Sequence, residues 1–171
     1  MPETLITDTG ERLLALATGS GAQVEITHIA IGDANGLAYD PSYDQTALVN
    51  EIARAPIELQ SQVDANSWRV KVSFPATMQQ AYVREIGAYD VDGNLVTIWA
   101  GLDVEPRQVG VVDYLIDHVL GFSRTAEGLL IVSAPDDETE NFRMATTRML
   151  AELAHQQFLQ SEAIRAGLSA F

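Results

Sequence analysis

Residues Tyr82–Asn94 read YVREIGAYDVDGN and contain the strongest hairpin signal in the chain. Apolar and polar residues alternate through Ala81–Tyr89, which is typical of a half-buried strand. The dipeptide Asp92-Gly93 favours a tight turn, and Leu95–Ala100 supplies a returning arm. The segment therefore predicts an antiparallel β-hairpin with Asp92 and Gly93 at its turn.

Other segments of the chain also carry strand patterns. Trp68–Phe74 has the clearest one, because its large apolar side chains fall on alternate positions and share one face. Pro56 cannot donate a ladder hydrogen bond, so the segment that contains it is expected at a sheet edge or a bulge. The further strand candidates are Val24–Gly32, Ile52–Leu59 and, with weaker patterns, Val109–Leu120 and Gly128–Val132.

Two helices are predicted at the ends of this strand-rich region. The first runs through Glu11–Ala17, with Thr9 or Asp8 as its cap and glycines after it. Strands separated by turn signals, with helices added, indicate an α+β fold: an antiparallel sheet or sandwich with a short N-terminal helix and a long C-terminal helix. We divide the chain into residues 1–134, the strand-rich domain, and residues 135–171, the helical segment.

The second helix follows Pro135 and contains no proline, and only one glycine up to Leu168. Acidic residues open it, as a helix N-terminus favours. Its apolar stripe consists of Phe142, Met149, Leu153 and Ile164 in a heptad-like rhythm interrupted by polar residues. A helix of this length needs a packing partner in water. That partner is either the sheet domain of its own chain or another copy of the helix.

Charge and composition restrict the classes of function. The 171 residues include 10 Lys+Arg against 24 Asp+Glu, for a net charge of −14. Such a chain repels nucleic-acid phosphates and anionic lipids. Cysteine is absent, which removes disulfides and thiolate sites. Neither a signal peptide nor an apolar run of ~18 residues is present, so we expect a soluble protein made in the cytoplasm, without membrane insertion.

Motifs for catalysis or for cofactor binding are missing from the sequence. The run Asp90–Asn94 resembles the start of a calcium loop, but Gly93 comes too early and the twelfth position is Gly101. The histidines have no metal-ligand spacing, and neither a nucleophile motif nor a phosphate-binding motif occurs. We therefore expect no metal, no cofactor and no enzymatic activity.

Three charged residues stand in otherwise apolar strand segments. Arg84 and Glu85 are adjacent, so in a continuous strand they point to opposite faces. A buried charge needs a partner, and one of the two is expected to close a structural ion pair or to reach an interface. Arg54 is the third, and it can pair with either Glu85 or Glu51.

Three ordered blocks of this sequence together resemble the N-terminal domain of phage tail-collar fibre proteins. The first is Leu5–Gly10 running into Ile26–Gly36, the second is Thr46–Ile57, and the third is Arg84–Asp90 with Asp92–Leu95. The resemblance covers roughly residues 4–100. It implies a structural protein that attaches a trimeric tail fibre to the baseplate of a contractile-tailed phage or a tailocin.

The resemblance also implies partners and structural residues. The expected partners are a baseplate protein and other tail-fibre subunits or a distal fibre protein, in a homotrimer on the virion tail that takes part in host adsorption. Gly32 and Gly36 would shape the loop after a strand, and Gly87 would allow a bend or a close approach. Residues 101–171 have no repeats and no glycine-rich distal segment, so we expect a short fibre, an adaptor whose terminal helix engages another fibre protein, or a fragment of a longer chain.

Aromatic residues provide the alternative to an attachment role. Tyr39, Tyr43 and Trp99 are candidates for exposed platforms, while Trp68 alternates with valines and is expected in the core. Exposed aromatic residues of this kind would suit a carbohydrate-binding module for host surface glycans. Binding to a glycan array that is lost in Trp99→Ala separates this alternative from the first interpretation.

Overall fold

The computed structural model describes residues 4–64, 67–121 and 130–168. Within these ranges the chain forms eleven strands and two α-helices, and most strand pairs are antiparallel. The predicted α+β class is therefore confirmed. The chain divides into two compact units, residues 1–135 and residues 136–171.

The first helix, α1, spans Asp8–Ser20 and is longer than the sequence predicted. Its cap is Thr7, so the expectation of Thr9 or Asp8 was wrong. The Thr7 hydroxyl accepts from Gly10 N at 3.0 Å and also donates to Leu95 O at 2.6 Å. Because this hydroxyl serves a second element besides the helix, Thr7 anchors α1 to a strand of the sheet. Gly21 ends the helix in the left-handed conformation, with φ of 70°.

The larger sheet joins the two ends of the first unit. Its strands are β1 (Leu5–Ile6), β2 (Val24–Gly32), β3 (Glu51–Pro56), β7 (Glu85–Asp90), β8 (Leu95–Trp99) and β11 (Leu130–Val132). Their order is β1-β8-β7-β2-β11, and β3 also pairs with β2. The pairing of β11 with β2 is parallel, whereas the other pairs of this sheet are antiparallel. Among the described strands β3 pairs only with β2, which places Pro56 on an edge strand.

The second sheet contains the segment with the clearest strand pattern in the sequence, Trp68–Phe74. It consists of β4 (Leu59–Asp64), β5 (Ser67–Phe74) and β10 (Tyr114–Gly121), with β5 in the centre. A short ribbon pairs β6 (Ala81–Val83) with β9 (Arg107–Val109). The single strand predicted over Ala81–Tyr89 is thus two strands, β6 and β7. Likewise the candidate Val109–Leu120 divides between β9 and β10, and Gly128 lies outside the described residues.

The main core lies between the two sheets and α1. Alternate residues of β5 face it and are buried, as the sequence predicted, and apolar residues of β2 meet them from the larger sheet. A second cluster contains Ala30, Leu48, Tyr89, Leu95 and Ile98. Leu48 belongs to the long connection between β2 and β3, so this loop contributes to the core. The connection also begins with a 3-10 turn over Ala34–Gly36.

The second unit is dominated by α2, which spans Glu138–Leu168. Asp137 Oδ1 accepts from Glu140 N at 3.1 Å and so caps the first turn. Glu140 and Arg143 form an ion pair at 2.9 Å, one turn apart. No helix in the described part of the chain has a stretch long and apolar enough to cross a bilayer.

Candidate functional site

Glu85 is the most buried charged side chain of the described residues, and its carboxylate collects three donors. Oε2 accepts from the Tyr39 hydroxyl at 2.6 Å and from Val49 N at 3.0 Å. Oε1 accepts from Asn50 N at 2.9 Å. Backbone amides and a phenol therefore satisfy this buried charge without a cation. We call Glu85 with these three partners the Glu85 cluster.

The Glu85 cluster fastens the loop before β3 to the start of β7. Gly32, at the end of β2, faces it closely: a Cβ on Gly32 would collide with Glu85 Oε1 and approach Asn50 O within 2.6 Å. Only a residue without a side chain fits there. Burial raises the pKa of the Tyr39 phenol, and its hydrogen bond to Glu85 raises it further, so the hydroxyl stays protonated as a donor.

Arg54 pairs with Glu51 and not with Glu85. Its Nε and Nη2 donate to the two carboxylate oxygens of Glu51, at 3.0 and 2.7 Å. The guanidinium also lies over the Tyr89 ring, 3.6 Å from the centroid. The hydrogen bonds that Arg54 donates to Glu51 are the main reason that the pKa of Arg54 is raised. Of the two partners that the sequence allowed for Arg54, the structure selects Glu51.

The predicted hairpin joins β7 to β8 with Gly93 at φ of 81° in its turn. The Asp90 carboxylate closes the turn, since it accepts from Asn94 N at 2.7 Å and from Asn94 Nδ2 at 2.8 Å. Asp92 is exposed at the tip. Gly87, inside β7, is a close approach: a Cβ there would come within 2.8 Å of Leu95 and 2.9 Å of Tyr89.

Arg84 lies between β6 and β7, so the expectation that it alternates with Glu85 along one strand was wrong. Its backbone N donates to Gly32 O at 2.9 Å. Its Nε is buried without a hydrogen-bond partner, and no described residue forms an ion pair with its guanidinium. The side chain lines a polar groove of about 470 Å³, together with Asp33, Glu51 and Tyr82.

A second cleft, of about 210 Å³, contains Trp99 and His118. The two rings meet edge to face, with centroids 6.4 Å apart. His118 Nε2 is buried without a partner among the described residues, and burial lowers the pKa of this imidazole. Tyr114 and Arg107 line the same cleft. The arrangement combines aromatic surface with unsatisfied polar groups.

The stripe of α2 consists of exposed side chains. Phe142 is 73% exposed, Met149 61% and Leu153 49%. Ile164 lies within α2, but its side chain falls outside the described residues. The stripe predicted for α2 is therefore exposed at its described positions.

The model of the phage tail-collar fibre protein N-terminal family matches residues 1–105. The chain belongs to this family. A probable tail fibre protein of Escherichia phage P2 is 35% identical over 98 residues, which are 56% of this chain. The chain spans only 15% of that protein's length. No solved structure matches the chain.

The part of the chain that matches the tail-collar family contains the Glu85 cluster, Arg84 and the hairpin. The cleft of Trp99 and His118 extends beyond it, because β9 and β10 follow residue 105. The whole of α2 also lies beyond the match. The family match therefore covers part of the second cleft, including Trp99, and does not cover the helix.

Sequence reasoning missed several members of the Glu85 cluster. Tyr39 was taken as an exposed aromatic residue, yet its hydroxyl is bound to Glu85. Val49 and Asn50 contribute backbone amides, whose role no side-chain pattern reveals. One signal was present: Glu85 is a charged residue in an otherwise apolar segment, and a buried charge needs a partner. Tyr43, by contrast, is 54% exposed as expected.

Proposed function

We propose that residues 1–134 attach a tail fibre to the baseplate of a contractile phage tail or tailocin, and that residues 135–171 associate the subunits into a homotrimer. Membership of the tail-collar fibre family carries this proposal. The role is structural and not enzymatic, and the protein acts on the virion tail after synthesis in the bacterial cytoplasm. The distal fibre protein, or the distal part of the fibre, binds the host.

The geometry of the first unit supports a rigid docking module. The Glu85 cluster fixes the start of β7, the Asp90–Asn94 turn fixes its end, and the Arg54–Glu51 pair lies on β3. Their side-chain hydrogen bonds include ones of 2.6, 2.8 and 2.7 Å, respectively. A surface whose loops are held in place loses little conformational entropy on binding. In this proposal Gly32, Gly36, Gly87, Asp92 and Gly93 preserve the shape of the surface.

Attachment is tested with tail particles assembled without the fibre gene product. Purified chain with a gold label at its C-terminal end is added, and particles are imaged by negative-stain electron microscopy. We expect label at the baseplate end of the particles. Label that is absent, or that is spread along the tail tube, contradicts the proposal.

Trimerisation is tested by light scattering of the purified chain. We expect a mass three times that of the 18.6 kDa chain. Leu153→Glu puts a charge in the apolar stripe and should shift the protein to monomer, because burying an unpaired charge costs several kcal/mol. Ala151→Glu, about half a turn away on the same helix, is the matched control and should leave the mass unchanged. A strict monomer in the unmodified chain refutes this half of the proposal.

A glycan site is the second candidate function, and the Trp99 cleft favours it. Its size suits one sugar ring, and a hydroxyl-rich ligand would give His118 Nε2 a partner. The test is a glycan array probed with the chain, Trp99→Ala and, as control, Tyr43→Ala, which changes an exposed aromatic residue outside the cleft. Binding lost only in Trp99→Ala supports a sugar site, whereas an array without binding excludes one.

A further inference from the structure

Arg84 pairs with no carboxylate of residues 4–64, 67–121 and 130–168, although the chain carries 24 acidic residues against 10 basic ones. Its Nε is buried without a partner, and no described carboxylate lies within ion-pairing distance. A buried guanidinium donor without an acceptor costs more than an ordinary unsatisfied hydrogen bond, because the group is charged. In so acidic a chain, an arginine left in this state points to an acceptor from outside.

The two acidic side chains that line the groove are already engaged. Asp33 Oδ1 accepts from Asn35 N at 2.9 Å and from Asn50 Nδ2 at 2.8 Å. Both oxygens of Glu51 accept from Arg54. The charge of Glu51 is therefore balanced by Arg54, Asp33 Oδ1 is engaged within its own loop, and neither carboxylate forms an ion pair with Arg84.

Glu85, the next residue in sequence, turns away from Arg84 into the protein. Its carboxylate is fully buried in the Glu85 cluster and receives its donors there. The cluster also fixes the backbone at the start of β7, and the Arg84 amide is held by Gly32 O at 2.9 Å. The arginine thus stands on a rigid base while its guanidinium lines an open groove of about 470 Å³.

We propose that this groove is a socket for an acidic side chain, Asp or Glu, presented by the protein on which the module docks. A planar guanidinium binds a carboxylate through two parallel hydrogen bonds, which gives both energy and orientation. Tyr82 and the side-chain amides of Gln79 and Gln80 line the same groove and provide further donors. The inference rests on the proposed attachment function and names the chemistry of its contact.

The site itself is tested by NMR with a small probe. Acetyl-glutamate amide is titrated against the ¹⁵N-labelled chain, and acetyl-glutamine amide serves as the neutral probe. The Nε–H signal of Arg84, assigned by its loss in Arg84→Gln, should shift saturably with the glutamate probe at about millimolar concentration and not with the glutamine probe. The signal of Arg12, an exposed arginine of α1, is the internal control. If Arg84 shifts no more than Arg12, the socket is refuted.

The docking contact is tested with the fibre-less tail particles. Arg84→Gln should lower the apparent affinity for the particles at least about tenfold. The affinity of Arg84→Lys should lie between those of the unmodified chain and Arg84→Gln, because lysine keeps the charge but cannot form two parallel hydrogen bonds with a carboxylate. Arg12→Gln removes the same charge elsewhere and should bind like the unmodified chain. If Arg84→Gln binds as tightly as the control, the socket is wrong and attachment stands. If the unmodified chain does not bind the particles, attachment fails and the probe titration alone decides the socket.

Discussion

Glu85→Ala removes the acceptor that holds two backbone amides of the loop before β3 to the start of β7. Val49 N and Asn50 N donate to the carboxylate at 3.0 and 2.9 Å, and alanine provides no replacement acceptor for them. An unsatisfied buried donor costs about 1–3 kcal/mol; because Val49 and Asn50 are exposed residues, the lower part of this range applies, which gives about 2 kcal/mol for the two amides together. The Tyr39 hydroxyl still accepts from Gln45 Nε2 at 3.2 Å but loses the acceptor of its own proton, which adds to the cost. A loss of this size is a large part of the stability of an ordinary domain.

Urea unfolding followed by tryptophan fluorescence measures this loss, at one fixed protein concentration because the chain is proposed to associate. Glu85→Gln keeps one oxygen acceptor but turns an amide N–H toward Asn50 N. Its free energy of unfolding should therefore fall by about half as much as that of Glu85→Ala. Glu105→Ala changes an exposed acid and should stay within about 0.5 kcal/mol. If Glu85→Ala loses less than about 1 kcal/mol, the amides find other acceptors and the reasoning is refuted.

Three further predictions concern single side chains. Gly32→Ala should destabilise the protein by about 2 kcal/mol in the same urea assay, because its Cβ collides with the Glu85 cluster. In the control Gly19→Ala the new Cβ contacts nothing, and the protein should become more stable by about 0.5–1 kcal/mol. Tyr39 has a raised pKa in the folded protein, so it contributes stability that is complete below pH ~10 and is lost above it; Tyr39→Phe should weaken that alkaline loss, as unfolding free energies at pH about 9 and 11 would show. His118 has a lowered pKa, so its contribution is present above pH ~6.5 and is lost as pH falls. NMR titration should place its pKa below the ordinary histidine value of about 6.5, and a value at or above about 6.5 would contradict the burial argument.

Periodicity predicted the parts of the fold in which one side of an element is buried. In β5 the residues Trp68, Val70, Val72 and Phe74 share the core face because a strand repeats every two residues. The hairpin was predictable for a similar reason, since Asp92-Gly93 encodes its turn locally. These features depend on neighbours in sequence, and the physical cause is visible in the residues themselves.

The candidate site depends on contacts that are distant in sequence. Tyr39 donates to Glu85 across a long loop. Arg54 pairs with Glu51, while the Glu85 carboxylate accepts hydrogen bonds from backbone amides. Every residue except proline has a backbone N–H, so a sequence pattern does not predict which of these groups will donate to a side chain. The strand is interrupted at Arg84 because of another contact that is distant in sequence: β6 pairs with β9, which follows much later in the chain, and not with the larger sheet.

The parallel pairing of β11 with β2 has a consequence for synthesis on the ribosome. Leu130 and Val132 pair with Val24 and Ile26, one of the first strands to be made. Until the chain has been translated past Val132, a nascent molecule exposes this stretch of β2 with unpaired backbone groups. The family match ends at residue 105, so a fragment cut there would lack the closing strand and would be prone to aggregate. Because α2 is translated after β11, the sheet can close before this helix has emerged.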